Sequence, residues 1–206
     1  MQLDILYQDE AVIVLNKPAG LLSVPGRGAD KFDSLAYRVQ QKFPQARVVH
    51  RLDCHTSGVM LMALGLDAQR ELSRQFHDRE TDKAYIAVVH GVVTQDEGQI
   101  GLAMRGDPDN RPMQILDDIH GKPALTRWQL IERYADSTRL KLLPHTGRSH
   151  QLRVHCRAMG HGIIGDRLYG SEMDQLESRM LLHAEMLSFT HPQTQQRLSI
   201  TAECEF

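Results

Sequence analysis

The chain has 206 residues, 24 Lys+Arg against 26 Asp+Glu, and a formal net charge of -2. With 41% hydrophobic and 24% charged residues it can bury a core unaided, and its composition excludes collagen, coiled coil and low-complexity disorder. The balanced charge argues weakly against a nucleic-acid protein. Against that, 18 of the 24 basic residues are Arg, the side chain suited to forked recognition of phosphate and to stacking on bases.

In chain order, Ile5–Tyr7 and Val12–Asn16 read as strands around a corner at Gln8-Asp9-Glu10. Ser34–Phe43 reads as a helix ended by Pro44, and Gly58–Leu64 as a buried strand. Asp67 is expected to cap a helix reaching Arg79, with Ala68, Leu72 and Phe76 on its inner face. Lys83–His90 alternates as a strand with Tyr85, Ala87 and Val89 on one face. The pattern weakens from Glu97 to Pro123, where Arg105–Pro112 reads as an exposed loop or small hairpin. Strands return at Ala124–Tyr134 and Thr138–Leu143. Ser149–Met159 reads as a helix stopped by Gly160. One face carries Leu152, Cys156 and Met159, and the other His150, Arg153 and Arg157. Leu181–Thr190 and Leu198–Ala202 close the chain as strands. Strands outnumber helices and rarely alternate as βαβ, so the class is α+β with a mixed, mainly antiparallel sheet.

Cys54, Cys156 and Cys204 are too scattered for a disulfide framework, and Met1-Gln2-Leu3-Asp4 has no secretory character. The apolar run Val59–Leu64 is too short to span a bilayer. The expectation is a reduced, cytoplasmic protein with no membrane association. No linker or repeat appears, so one domain over 1–206 is expected. No amphipathic partner helix stands out, so a monomer is expected too.

The net charge hides a segregation. Residues 137–170 carry six basic residues and one acid, Asp166, and residues 34–66 carry four and one, Asp53. The last 36 residues carry six acids against two Arg. Two solvated faces, or a polyanion groove with an acidic back, would each produce this pattern.

Two stretches stand out chemically. His50-Arg51-Leu52-Asp53-Cys54-His55-Thr56-Ser57-Gly58 puts Asp53 in a polar corner at the mouth of a buried strand. An ordinary Asp there would cap a turn through the Thr56 or Ser57 N–H. Thr146-Gly147-Arg148-Ser149-His150-Gln151-Leu152-Arg153-Val154-His155 puts Arg148 at a helix start, where the dipole disfavours a cation, so a buried carboxylate is a natural partner, with an exposed Arg in an ordinary loop as the alternative. Other readings fail. HRLD is not the kinase HRD in its context, and Gly26-Arg27-Gly28-Ala29-Asp30 lacks the rest of a phosphate loop. His50/Cys54/His55 and His150/His155/Cys156 lack metal-ligand spacing, and no GxSxG occurs.

The His50–Gly58 stretch resembles the signature of the RluA-type pseudouridine synthases. The resemblance continues through Asn16-Lys17-Pro18-Ala19-Gly20, Lys83-x-Tyr85, the Thr146–His155 stretch, Gly165-Asp166, Leu182-His183-Ala184 and His191-Pro192. It implies a central, mostly antiparallel sheet flanked by helices and loops, with a catalytic cleft across it. It also implies isomerisation of a uridine in structured RNA to pseudouridine, with no cofactor or metal. By resemblance Asp53 is the essential carboxylate, Tyr85 lies against the uracil as a candidate base, and Arg148 pairs with Asp53. Arg51 fills the space left by the flipped nucleotide. His50, Thr56, Arg153 and Arg157 are expected RNA contacts.

Extrusion of the target base fits this chemistry, because its glycosidic bond is out of reach inside a stack. A single carboxylate also fits, since the leaving group is retained rather than exchanged for water. Attack at C1′, attack at C6 and removal of the C2′ proton all remain open to it. Pro108–Pro112 followed by Gly121-Lys122-Pro123-Ala124 resembles compact, dual-specificity members that modify 23S rRNA and a tRNA anticodon stem-loop. Such members lack an N-terminal accessory module. The alternatives are a different tRNA site, or a non-catalytic RNA chaperone or ribosome-assembly factor on the same scaffold.

Overall fold

The structure, a computed structural model, describes residues 2–28 and 31–206, so the end of the Gly26–Asp30 stretch lies outside the described residues. The described chain runs β1 (Ile5–Gln8), β2 (Val12–Lys17), α1 (Leu35–Gln40), β3 (Ala46–Val48), β4 (Ser57–Leu64) and α2 (Leu66–Asp78). It continues β5 (Asp82–His90), β6 (Glu97–Gly101), β7 (Met104–Gly106), β8 (Gln114–Leu116), β9 (Leu125–Arg133), β10 (Ser137–Pro144) and α3 (Gln151–Ala158). It ends with β11 (Leu182–Thr190) and β12 (Arg197–Thr201). Two compact units result. The first reaches Lys83 and resumes over His183–Glu205; the second is Ala84–Leu182 with Phe206.

In the first unit β4 is the spine. It pairs antiparallel with β2 and β3 and parallel with β11, which pairs antiparallel with β12. All eight β4 residues are buried, which explains a continuous apolar run in place of alternation. The β1–β2 corner is tied by Asp9, whose carboxylate accepts the Ala11 and Val12 N–H groups at 2.8 and 2.9 Å. Its other oxygen meets His191 Nε2 at 2.9 Å, so the His191-Pro192 motif is a structural staple. Ser34 caps α1, its Oγ accepting from Tyr37 N–H. Asp67 is not the cap of α2. Gly65 holds that position at φ 100, and Asp67 sits in the first turn, where its charge favours the dipole. Gln75 is buried within α2 and exchanges two hydrogen bonds with the Thr190 backbone, fastening helix to strand.

In the second unit β5, β10, β9 and β6 form an antiparallel run in that order. Leu142, Leu140 and Thr138 stand opposite Tyr85, Ala87 and Val89. The alternation read in β5 thus faces one core, shared with Trp128, Ile100 and the α3 residues Leu152 and Cys156. Residues 105–112 belong to a hairpin, with β7 and β8 as its strands. Within the two units β4–β11 is the parallel pair and the other strand pairs are antiparallel, so the mixed α+β class stands.

Candidate active site

Asp53 ends a loop whose backbone is fixed from three sides. Ser23 Oγ donates to the Leu52 carbonyl at 2.6 Å and accepts the Leu52 N–H at 3.0 Å, both in a buried setting. Lys17 is fully buried, and its ammonium donates to the carbonyls of Pro18, Leu21 and Cys54 at 2.9, 2.7 and 3.0 Å. Gly20 N–H also reaches the Cys54 carbonyl, at 2.9 Å. The turn itself closes on main chain, with Thr56 N–H donating to the Asp53 carbonyl at 3.1 Å. In the sequence Lys17 stands within the Asn16–Gly20 motif with no role of its own, and Ser23 does not stand out. A lysine inside an apolar strand was the available signal, because a buried ammonium must be matched by acceptors.

The downstream end of the loop is equally fixed. Gly58 has φ 110, and a Cβ there would stand 2.2 Å from the Ala184 carbonyl oxygen. Only glycine lets β4 and β11 approach this closely. Ser57 Oγ lies 2.8 Å from His183 Nδ1, while His183 Nε2 is 3.1 Å from the Ala202 carbonyl. The carbonyl needs a donor, so Nε2 carries the proton and Ser57 donates to Nδ1. The distant motif fragments at 56–58 and 183–184 are thus one packed contact.

In the second unit, Tyr85 lies half-buried on β5 against the core. Arg148 sits in the turn before α3. Its backbone N–H donates to Gln151 Oε1 at 3.0 Å, and its guanidinium Nε donates to the Pro123 carbonyl at 3.2 Å. Gln151 is buried and also takes the Thr146 hydroxyl at 2.7 Å while donating to Leu125 and Thr126. Gln151 thereby sets the backbone that presents Arg148, a role its place within a longer motif did not disclose.

Several expected RNA contacts have other duties. His50 Nε2 accepts the Leu61 N–H at 2.9 Å, and its ring stacks on Phe76 at 4.5 Å. Burial, helped by the Lys83 charge, pushes its pKa down to about 3, so it is a neutral acceptor and no phosphate ligand. Thr56 is buried beneath the turn. Arg153 is buried too, its Nε and Nη2 holding both oxygens of Asp166 at 2.7 and 2.6 Å. The helix face shared by His150, Arg153 and Arg157 is therefore buried at Arg153, whose guanidinium serves Asp166. Every α3 residue from Gln151 to Cys156 is buried. Arg51 and Arg157 are exposed, and among the described residues their side chains make no hydrogen bond or ion pair.

The imidazoles of His150 and His155 and the buried thiol also have partners or burial that account for them. His150 Nδ1 meets the Tyr169 hydroxyl at 2.7 Å and His155 Nδ1 the Thr126 hydroxyl at 2.9 Å. Burial pushes the Cys156 thiol up to about 12. Among the described residues no group of three or more His, Cys, Asp or Glu is placed to hold a metal ion.

The family model described as RNA pseudouridylate synthase matches residues 11–158. The chain is 52% identical over 204 residues to the dual-specificity RNA pseudouridine synthase RluA of Yersinia pestis, covering 98% of this chain and 99% of that one. It is 50% identical to the protein of that name from Escherichia coli K12, covering 98% and 93%. Among solved structures, human RNA pseudouridylate synthase domain containing 1 superposes with a TM-score of 0.84 at 31% identity, covering 98% of this chain and 83% of that one. Human RNA pseudouridylate synthase domain containing 4 shares the fold, with a TM-score of 0.78 at 23% identity, covering 98% and 88%.

Proposed function

The chain belongs to the RNA pseudouridylate synthase family, an enzyme family that isomerises uridine in RNA, and from that premise we propose that Asp53 is its catalytic carboxylate and that it acts on both 23S rRNA and tRNA. The observation that carries the role of Asp53 is the fixing of its loop by Lys17, Ser23 and main-chain bonds. A carboxylate carried on an over-determined loop is preorganised for chemistry. Dual specificity is supported by the shared name of the Yersinia and Escherichia relatives, which this chain matches over nearly its whole length. The family match runs through both units, which supports one catalytic domain.

In the proposed mechanism the target uridine is flipped out of its stack and Arg51 fills the gap. Asp53 acts on the sugar or base so that the N1–C1′ bond breaks. The uracil turns and C5 bonds to C1′. Tyr85 removes the C5 proton and N1, freed from C1′, gains one, so the product is an isomer of the substrate and nothing is added or lost. Arg148 is the cation proposed to assist Asp53 in the reaction. Arg157 is a proposed phosphate contact.

An Asp53→Asn variant is expected to bind substrate RNA with near wild-type affinity and to form no pseudouridine by nucleoside mass spectrometry. Full turnover by that variant refutes the assignment. Mass mapping of pseudouridine in rRNA and tRNA, with and without the gene, tests the two targets. A site lost from only one RNA class refutes dual specificity.

A further inference from the structure

We propose that Tyr169 is a positioning residue, whose hydroxyl joins the β7–β8 hairpin to His150 and thereby holds the turn that presents Arg148. The proposal rests on the assignment of Arg148 above. Ring, backbone and hydroxyl of Tyr169 each engage a different part of the second unit. The ring is buried with Met104 at the start of β7, Ala124, and Val154 of α3, and Met113 packs against this cluster. The Arg153 guanidinium stands over the ring, 4.9 Å from its centroid. The Tyr169 N–H donates to Asp166 Oδ1 at 3.2 Å, the carboxylate that Arg153 holds. The hydroxyl oxygen accepts the Gln114 N–H of β8 at 2.8 Å and lies 2.7 Å from His150 Nδ1.

A phenylalanine would fill the apolar cluster equally well, so the hydroxyl has separate work. His150 stands just before α3 with φ 53, in the left-handed region. A residue with a β-carbon stays there where its surroundings hold it. Tyr169 supplies such a hold, and Arg148 lies two residues upstream. The hairpin reaches the same turn by a second route. Lys122 exchanges two backbone hydrogen bonds with Met104, at 2.8 and 3.1 Å, and the next carbonyl, of Pro123, accepts from the Arg148 guanidinium at 3.2 Å. Gln151 holds the Arg148 N–H at 3.0 Å as a third support. Removing the Tyr169 hydroxyl releases one support and leaves the other two. That displaces the guanidinium without unfolding the unit.

The test uses bulk tRNA and 23S rRNA from cells lacking the gene, tritiated at uridine C5, so that tritium release reports the reaction. Tyr169→Phe is expected to keep the wild-type circular dichroism spectrum and to lower kcat about tenfold or more, with KM unchanged within about twofold. In an Arg148→Lys background the same change should cost less than about twofold further, because both changes act through one side chain. A tyrosine that served only the fold would lose the same factor in both backgrounds. That additive result, or full kcat in Tyr169→Phe, overturns the proposal. Gln114→Pro removes the hairpin donor and leaves Tyr169 in place. It should lower kcat in the same way, and it replaces Tyr169→Phe if that variant does not fold; full kcat in Gln114→Pro then overturns the proposal. A wild type that releases no tritium, or Arg148→Lys as fast as the wild type, would instead refute the functional reading beneath it.

Discussion

Acidification should weaken the protein through His50. The neutral ring accepts the Leu61 N–H and stacks on Phe76, and its folded pKa of about 3 lies below the ordinary 6.5. The folded state therefore disfavours the proton. The stability His50 contributes is complete above pH 6.5 and is lost as pH falls from 6.5 toward 3. At pH 5 the unfolded ring is almost fully protonated and the folded ring is not, which by linkage costs about 2 kcal/mol relative to pH 7. Part of the ring reaches solvent, so this is an upper figure. His50→Gln keeps an acceptor for Leu61 without titrating. Urea denaturation followed by circular dichroism at pH 7 and pH 5 should show the wild type losing up to about 2 kcal/mol more than the variant. Equal losses in the two proteins would refute the argument that a neutral His50 holds the loop before Asp53.

Three further outcomes follow from the same geometry. Arg153→Met leaves Asp166 buried without its partner and should cost about 3–5 kcal/mol in denaturant unfolding; a cost near zero would return Arg153 to the candidate RNA contacts. Gly58→Ala must push a Cβ into the Ala184 carbonyl, so little soluble, folded protein is expected, and a wild-type melting temperature would contradict the close β4–β11 approach. Arg51→Ala should fold normally, since its exposed side chain supports nothing, yet lose the signal of a fluorescent base analogue at the target position. An unaltered signal would remove Arg51 from base flipping.

The site was legible where function forces an unusual local composition. Asp53 stood out because an acid, an arginine and two histidines crowd the mouth of an apolar strand. The strands at 12–17, 57–64 and 82–90 were legible because their burial imprints an apolar run or an alternation on the sequence. Spacing on α3 also identified Leu152, Cys156 and Met159 as its core side. The same spacing misplaced Arg153. Helical periodicity reports only which residues share a face, and an arginine facing inward looks the same until Asp166, thirteen residues on, supplies its partner. His50 and Thr56 were misassigned in a related way, because residues next to a catalytic loop serve either the substrate or the loop.

The sequence by itself determined the class of fold, the order of its main elements and the stretches where chemistry concentrates. Those properties are written in local pattern, and local pattern survives without a partner. Tertiary structure alone decided which side chains of those stretches are supports and which remain available. Lys17 closing on the Cys54 carbonyl, Gln151 held by Leu125 and Thr126, and Arg153 turned inward onto Asp166 all depend on residues distant in the chain. A charge or an amide acquires its role from the partner that folding brings to it, and that partner cannot be read from its neighbours in sequence.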